Sequence, residues 1–421
     1  MRRWNGWGDD STTKEVSEHG GALIRSVIGE PKPLKDATLE SVIAKVPASR
    51  LPKHPLISTD AEERVRHARG QSFPDWLAMR SGDFDVFPDG IACPETSAQV
   101  REILDLAVEH DFIVIPYGGG TSVAGHITPQ ESPKAILTID MGRMNKLMEL
   151  NEESQIATFG AGTPGPQVEA QLQARGYTLG HYPQSWELST IGGWIATRSS
   201  GQQSLRYGRI EQMFAGGKLE TMLGTMDIPT IPASSAGPDM REVTMGMEGR
   251  MGIYTEVKVR VVRVAKEEKF MVCFMPNWEA GKAVAREVAQ QKIPMSMMRV
   301  SNAAETRAHA NLGTTLKQFK LLDGYLRLRG LDDNRCMLTF GVTGTKFQNK
   351  TSMKQVKKIL RQYKGIGGPL ANIMGSIWAH GRFKFPYLRE TTWAQGIAVD
   401  TLETSTDWDN VDNMMNGMEE S

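Results

Sequence analysis

The tightest constraint on this chain is the stretch Pro116-Tyr117-Gly118-Gly119-Gly120-Thr121-Ser122, which follows the apolar run Phe112-Ile113-Val114-Ile115. The run reads as a buried strand. Consecutive glycines open backbone conformations closed to other residues and remove every side chain that would hold a ligand away. Successive N–H groups can then converge on an anion, and Thr121 and Ser122 add hydroxyls. A strand that empties into such a loop is a candidate pyrophosphate cradle. A glycine-rich turn with no ligand is the other reading of the stretch taken alone.

Whole-chain properties narrow the class. With 421 residues there is room for two or three domains with cores of their own. Lys+Arg and Asp+Glu both number 49, and the resulting zero net charge argues against a general nucleic-acid binder. No apolar run has the length of a membrane-spanning helix, and Met1–Gly8 has no signal-like apolar stretch. Cys93, Cys273 and Cys336 are scattered and odd in number, which predicts a reducing compartment, the cytoplasm. The eight histidines form no HExxH-like pair, so no metal is expected.

Residues 1–83 read as a partly helical lead-in broken by prolines at 31, 33, 47, 52 and 55. Alternating elements run from 84 to 265. Pro94-Glu95-Thr96-Ser97 opens a helix with an apolar face of Val100, Ile103, Leu104, Ala107 and Val108. Strands are expected at 112–116, 135–139 and 155–159, a helix at 166–175, and a long alternating strand over 252–264. Residues 266–421 read as a separate α+β domain: strand 271–275, helix 278–291, a segment at 297–300, strand 337–342 and helix 352–362. A helix start at Thr406-Asp407-Trp408 lies so near Ser421 that the chain reads as truncated.

Three further constellations follow the triple glycine. Gly160-Ala161-Gly162-Thr163-Pro164-Gly165 matches G-x-G-x-x-G between a strand and a helix. Pro164 and Pro166 flank its last glycine, and no acidic residue ends a following strand, so a nicotinamide site is disfavoured. Gln184-Ser185-Trp186-Glu187-Leu188-Ser189-Thr190, with Ile191-Gly192-Gly193-Trp194 and Thr197-Arg198-Ser199-Ser200-Gly201, packs hydroxyls, glycines and one arginine closely. Glu248-Gly249-Arg250-Met251-Gly252-Ile253-Tyr254 leads into the long strand. Together the loops favour a large nucleotide cofactor held by backbone, with the cofactor supplying the reactivity.

The order PYGGGTS, QSWELST, IGGWIATRSSG and GPDMREVTMGMEGRMGI resembles the flavin domain of the vanillyl-alcohol-oxidase superfamily. RRWNGWGDD, FPD at 87–89, HGRFKFPYLRE and VDTLETSTDWDNV make the whole chain similar to the alkyldihydroxyacetonephosphate synthase family and its bacterial FAD-linked relatives. The resemblance implies an α+β fold: a PCMH-type FAD-binding domain of two α+β subdomains over 84–265, then an incomplete substrate-binding cap over 266–421. It implies FAD contacts at Pro116–Ser122, Gln184–Thr190, Thr197–Ser200 and Glu248–Tyr254, and leaves 160–165 as a structural turn. No histidine lies within the GGGTS loop, so the FAD is expected to be non-covalent, with His126 the nearby exception to test.

The resemblance further implies exchange of the acyl group of acyl-dihydroxyacetone phosphate for a fatty alcohol through a flavin N5 adduct, in ether-lipid synthesis. Arg389 matches the family's substrate-phosphate arginine and Arg299 a second arginine needed for activity; a structural ion pair is the other reading of each. Two departures stand out. Met247 replaces the family's serine, and the acid–base tyrosine and histidine cluster would lie past Trp408, beyond the chain's last residue, so no catalytic residue is assigned. The alternatives are an FAD-linked dehydrogenase of a 2-hydroxy acid of the glycolate or D-lactate type, with either arginine on a carboxylate, and an inactive flavin-binding fragment. A small lipid or hydroxy-acid substrate, no nucleic-acid partner, a homodimer and peripheral membrane contact complete the expectations, with a peroxisomal location only for a eukaryotic source.

Overall fold

Thr96 starts the first long helix by accepting the Gln99 N–H at 3.2 Å, and Asp111 ends it at a φ of 51°. This helix, Ser97–His110, buries Val100, Ile103, Leu104 and Ala107, whereas Val108 is 59% exposed and lies off the expected face. The computed structural model describes residues 1–313, 316–367 and 369–420.

Two compact units divide the described residues, and neither is continuous in the chain. The first takes 1–14, 34–266 and 380–390; the second takes 15–33, 267–379 and 391–421. The sequence reading gave three consecutive segments, 1–83, 84–265 and 266–421. The structure instead returns residues 380–390 to the first unit and lends 15–33 to the second.

The first unit holds two main sheets. One has the order Ile57–Ser58, Gly90–Ala92, Ile136–Asp140, Ile113–Tyr117, with its last three strands parallel. The helix Ser97–His110 packs on it, as the shared cluster of Ile103, Leu104, Leu137 and Ile139 shows. The other is antiparallel, in the order Leu147–Asn151, Ile156–Gly160, Ile253–Arg260, Phe214–Thr221, Gly224–Ile228. Its core joins Phe159, Val257 and Leu219 to Trp194 and Ile195 of the helix Ile191–Ala196. Two small α+β layers therefore meet the loops that the sequence singled out.

The second unit is built on a three-stranded antiparallel sheet in the order Glu267–Met275, Cys336–Gly344, Met297–Ser301. The helices Trp278–Gln290 and Lys346–Gln362 share one apolar cluster with it, and Leu322 and Leu326 of Leu316–Leu328 share another. Among the described residues no helix is long and apolar enough to cross a membrane, and no group of acidic, histidine or cysteine side chains could hold a metal. All three cysteines are free thiols.

Candidate functional site

The two glycine motifs are distinguished by where their N–H groups go. In 160–165 every available N–H is used. Gly160 donates to Lys146, Ala161 to Thr255, Gly162 to Met144, Thr163 to Gly160 and Gly165 to Ser189, all main-chain carbonyls at 3.0–3.2 Å. Pro164 has none to give. This hexad cannot cradle a phosphate; it is a structural turn between strand and helix. In the triple-glycine loop, by contrast, the N–H groups of Gly119, Gly120, Thr121 and Ser122 find no acceptor among the described residues. A half-buried row of undirected donors is unfavourable unless something external accepts from it.

The loop is glycine-rich for a second reason. A methyl group on Gly119 would run into the carbonyl of Leu188. The missing side chain thus admits the backbone of the 184–190 segment and brings two of the predicted stretches together. Thr190 caps the short helix Ile191–Ala196, and Ser189 Oγ accepts the Trp194 indole N–H at 2.7 Å. The third stretch joins through the other end of that helix: Glu248 N–H donates to Ala196 O at 2.9 Å and Gly246 N–H to Ile195 O at 3.2 Å. A methyl on Gly249 would lie 2.9 Å from Pro116 Cγ. Arg198 and Glu248 hold positive φ values of 49° and 52°, each a strained choice for such a side chain, costing about 1 kcal/mol or more. Arg198 is tied down by Glu242, at 2.9 Å from its carboxylate.

Two histidines border this region. His126 Nδ1 is 3.1 Å from Ser122 Oγ and 3.9 Å from Glu248 Oε2, so it links the first and third stretches; burial lowers its pKa despite that carboxylate. His181 Nε2 is 3.1 Å from Ser199 Oγ, with its ring 4.8 Å from that of Trp194. Burial, aided by Arg209, pushes its pKa down to about 3, so it is a neutral group. Tyr254 is buried against Phe214, which pushes its hydroxyl up to about 12.

Comparison with known proteins decides the class. Residues 88–226 match the FAD binding domain family and residues 264–421 the C-terminal domain of FAD linked oxidases. The two matches together span most of the chain, an FAD binding domain followed by an oxidase-type C-terminal domain. The chain's flavoprotein relatives include the alkyldihydroxyacetonephosphate synthase of Dictyostelium discoideum, 29% identical over 98% of this chain and 74% of that protein. A solved structure of an alkyldihydroxyacetonephosphate synthase superposes with a TM-score of 0.87 at 26% identity, covering 99% of this chain and 82% of the other. The glycolate oxidase subunit of Bacillus subtilis is 27% identical over 56% of this chain and 52% of its own length.

The cradle fits FAD: four unspent N–H donors in series suit a diphosphate. Arg389, on the returning segment of the FAD-binding unit, donates to Gln71 O at 3.1 Å, with its guanidinium 4.8 Å from the Trp76 ring centre. Gln184 and Trp186 also meet that segment, through Arg382 O at 3.3 Å and a stacked Phe383 at 4.6 Å. Arg299 belongs to the other unit, where it is half-exposed and paired with Glu305.

The partners of several residues near the site had no sequence signal. Arg2 reaches the glycine loop from 117 positions away. Glu169, buried, accepts from Thr178 Oγ1 at 2.7 Å and from the N–H groups of Leu179 and Gly180 at 3.1 and 2.9 Å, holding the turn before His181; burial still raises its pKa. Only the tertiary fold brings such partners together.

Proposed function

We infer that this chain is an FAD-dependent enzyme of the alkyldihydroxyacetonephosphate synthase type, exchanging the acyl group of acyl-dihydroxyacetone phosphate for a fatty alcohol. One observation carries the reading: similarity to that synthase extends over 98% of the chain, through both units, whereas similarity to the glycolate oxidase subunit covers 56%. Bound FAD supplies an electron-accepting ring for an exchange with no net redox change.

The chain's own groups then have defined tasks. The N–H groups of Gly119–Ser122 bind the pyrophosphate. Gln184–Thr190, Thr197–Ser200 and Glu248–Tyr254 line the remainder of the cofactor, bound without a covalent link. Arg389 presents a planar cation to the substrate phosphate; the Gln71 carbonyl and the Trp76 ring fix its plane, which suits bidentate recognition. Arg299, which pairs with Glu305 in the structure, is assigned to the substrate's polar end. A homodimer at a membrane surface belongs to the same proposal, and sedimentation with and without lipid vesicles tests it.

A second reading, oxidation of a 2-hydroxy acid, is favoured by the match to the FAD linked oxidase C-terminal family. The experiment is to purify the protein, record its flavin spectrum, and mix it anaerobically with each substrate class. Exchange of labelled fatty alcohol into acyl-dihydroxyacetone phosphate without net bleaching supports the transferase. Bleaching by glycolate or D-lactate supports the oxidase. A folded, colourless protein that takes up no FAD refutes both.

A further inference from the structure

Arg2 stands behind the pyrophosphate loop. Its Nη2 donates to Gly119 O at 2.5 Å and lies 3.4 Å from the Tyr117 hydroxyl. Its backbone is fixed in turn. Arg2 bridges Asp9 in antiparallel fashion, and Arg66 Nη1 donates to Arg2 O at 3.2 Å. The Arg3 guanidinium closes the turn by donating to Trp7 O at 2.7 Å and Thr12 O at 2.9 Å.

The bonded carbonyl belongs to the Gly119–Gly120 peptide. In a trans peptide the C=O and N–H point to opposite sides. Fixing the Gly119 oxygen toward Arg2 therefore aims the Gly120 N–H away from it, and that N–H meets no protein acceptor among the described residues. A peptide between two glycines has no Cβ on either side to resist flipping. Gly120 sits at a φ of 67°, and a methyl there would meet the Tyr117 ring and lie 3.0 Å from Arg2 Nη2. The guanidinium also polarises the peptide it holds, which strengthens the N–H as a donor.

We propose that Arg2 is a positioning residue for the dinucleotide pyrophosphate, locking the Gly119–Gly120 peptide so that the loop's N–H groups face the phosphates. The proposal rests on the FAD reading and adds to it a residue from the far end of the sequence. Arg2 does not touch the cofactor; it acts through the loop.

The test uses full-length apoprotein titrated separately with FAD and with riboflavin, which carries the ring without the phosphates, followed by flavin fluorescence. Losing a charged hydrogen bond predicts that Arg2→Ala binds FAD about tenfold more weakly or worse. Its riboflavin affinity and its apoprotein melting temperature stay at parental values. Arg2→Lys, which keeps a cationic donor, recovers part of the loss. Amide hydrogen exchange in a peptide covering 118–122 becomes faster in Arg2→Ala. FAD affinity equal to the parent's overturns the proposal, as does an equal loss of riboflavin binding. A parent that binds no FAD overturns the cofactor reading and the role of Arg2 with it, an outcome distinct from either.

Discussion

The Tyr387 hydroxyl donates to Glu187 Oε1 at 2.8 Å, joining residues 200 apart in sequence. The same oxygen accepts the Asp9 N–H at 3.2 Å. One phenol thus ties the 184–190 segment, the N-terminal turn and the segment that carries Arg389. Burial raises its pKa, so it remains a neutral donor. Removing the hydroxyl strands a carboxylate and an N–H together. Tyr387→Phe should lose about 1–3 kcal/mol of stability in urea unfolding. It should also raise KM for the phosphate substrate more than it lowers kcat, because Arg389 loses its footing.

Gly119 and Gly162 offer a matched pair. A methyl on Gly119 meets Leu188 O and one on Gly162 meets Met141 O, both rigid backbone. Either alanine costs about 1–3 kcal/mol as overpacking. Gly119→Ala pushes apart two of the segments proposed to hold the cofactor and should purify with a lower ratio of flavin to protein absorbance. Gly162→Ala strains a turn with no spare N–H groups and should lower the melting temperature while the remaining folded protein binds FAD normally.

His126 is the residue at which covalent attachment of the flavin can be tested. Its Nδ1 already faces Ser122 Oγ at 3.1 Å. Acid precipitation should release yellow FAD into the supernatant from the parent and from His126→Ala alike. Flavin that stays with the parent's pellet but leaves that of His126→Ala would show a covalent bond.

His181 makes stability depend on pH. Its pKa falls from 6.5 when unfolded to about 3 when folded, chiefly through burial. The unfolded chain therefore binds the proton more readily, and this group's contribution is intact above 6.5 and declines as pH falls toward 3. The slope approaches about 1.4 kcal/mol per pH unit well below 6.5. Glu169, whose pKa is raised, works in the opposite direction, disfavouring the fold as pH rises past 4.5. Urea midpoints of the parent and of His181→Asn between pH 7 and 5 isolate the histidine, since Glu169 is common to both. The parent should lose stability faster on acidification.

The sequence carried most of the local structure and part of the site. The helix Ser97–His110 was legible through its cap and apolar spacing, and Ile253–Arg260 through its alternation. Phe214–Thr221 was not, because Gly216 and Gly217 interrupt the pattern where a neighbouring strand's backbone comes close. Ile191–Ala196 read only as an apolar stretch; its cap, Thr190, was visible but sat among other hydroxyls. At the site, the glycine loops could be recognised by composition. Their different roles were legible in part, through Pro164, Pro166 and the family resemblance, whereas the physical ground, whether each N–H meets a carbonyl as Gly162 meets Met144, needs the fold. The partners of Arg2, Glu169 and Tyr387 were illegible for the same reason, although Arg2 and Tyr387 lie in stretches that carry the resemblance.

The return of residues 380–390 to the first unit orders events during synthesis. Trp7 N–H donates to Glu390 Oε1 at 2.7 Å across 383 positions, and Arg80 pairs with the same carboxylate. A ribosome must deliver residue 390 before the N-terminal turn gains that partner. Contacts of such long range are slow to close. Until they do, the N-terminal turn that carries Arg2 lacks this clasp, so residues 1–14 reach their final setting only after synthesis has passed residue 390.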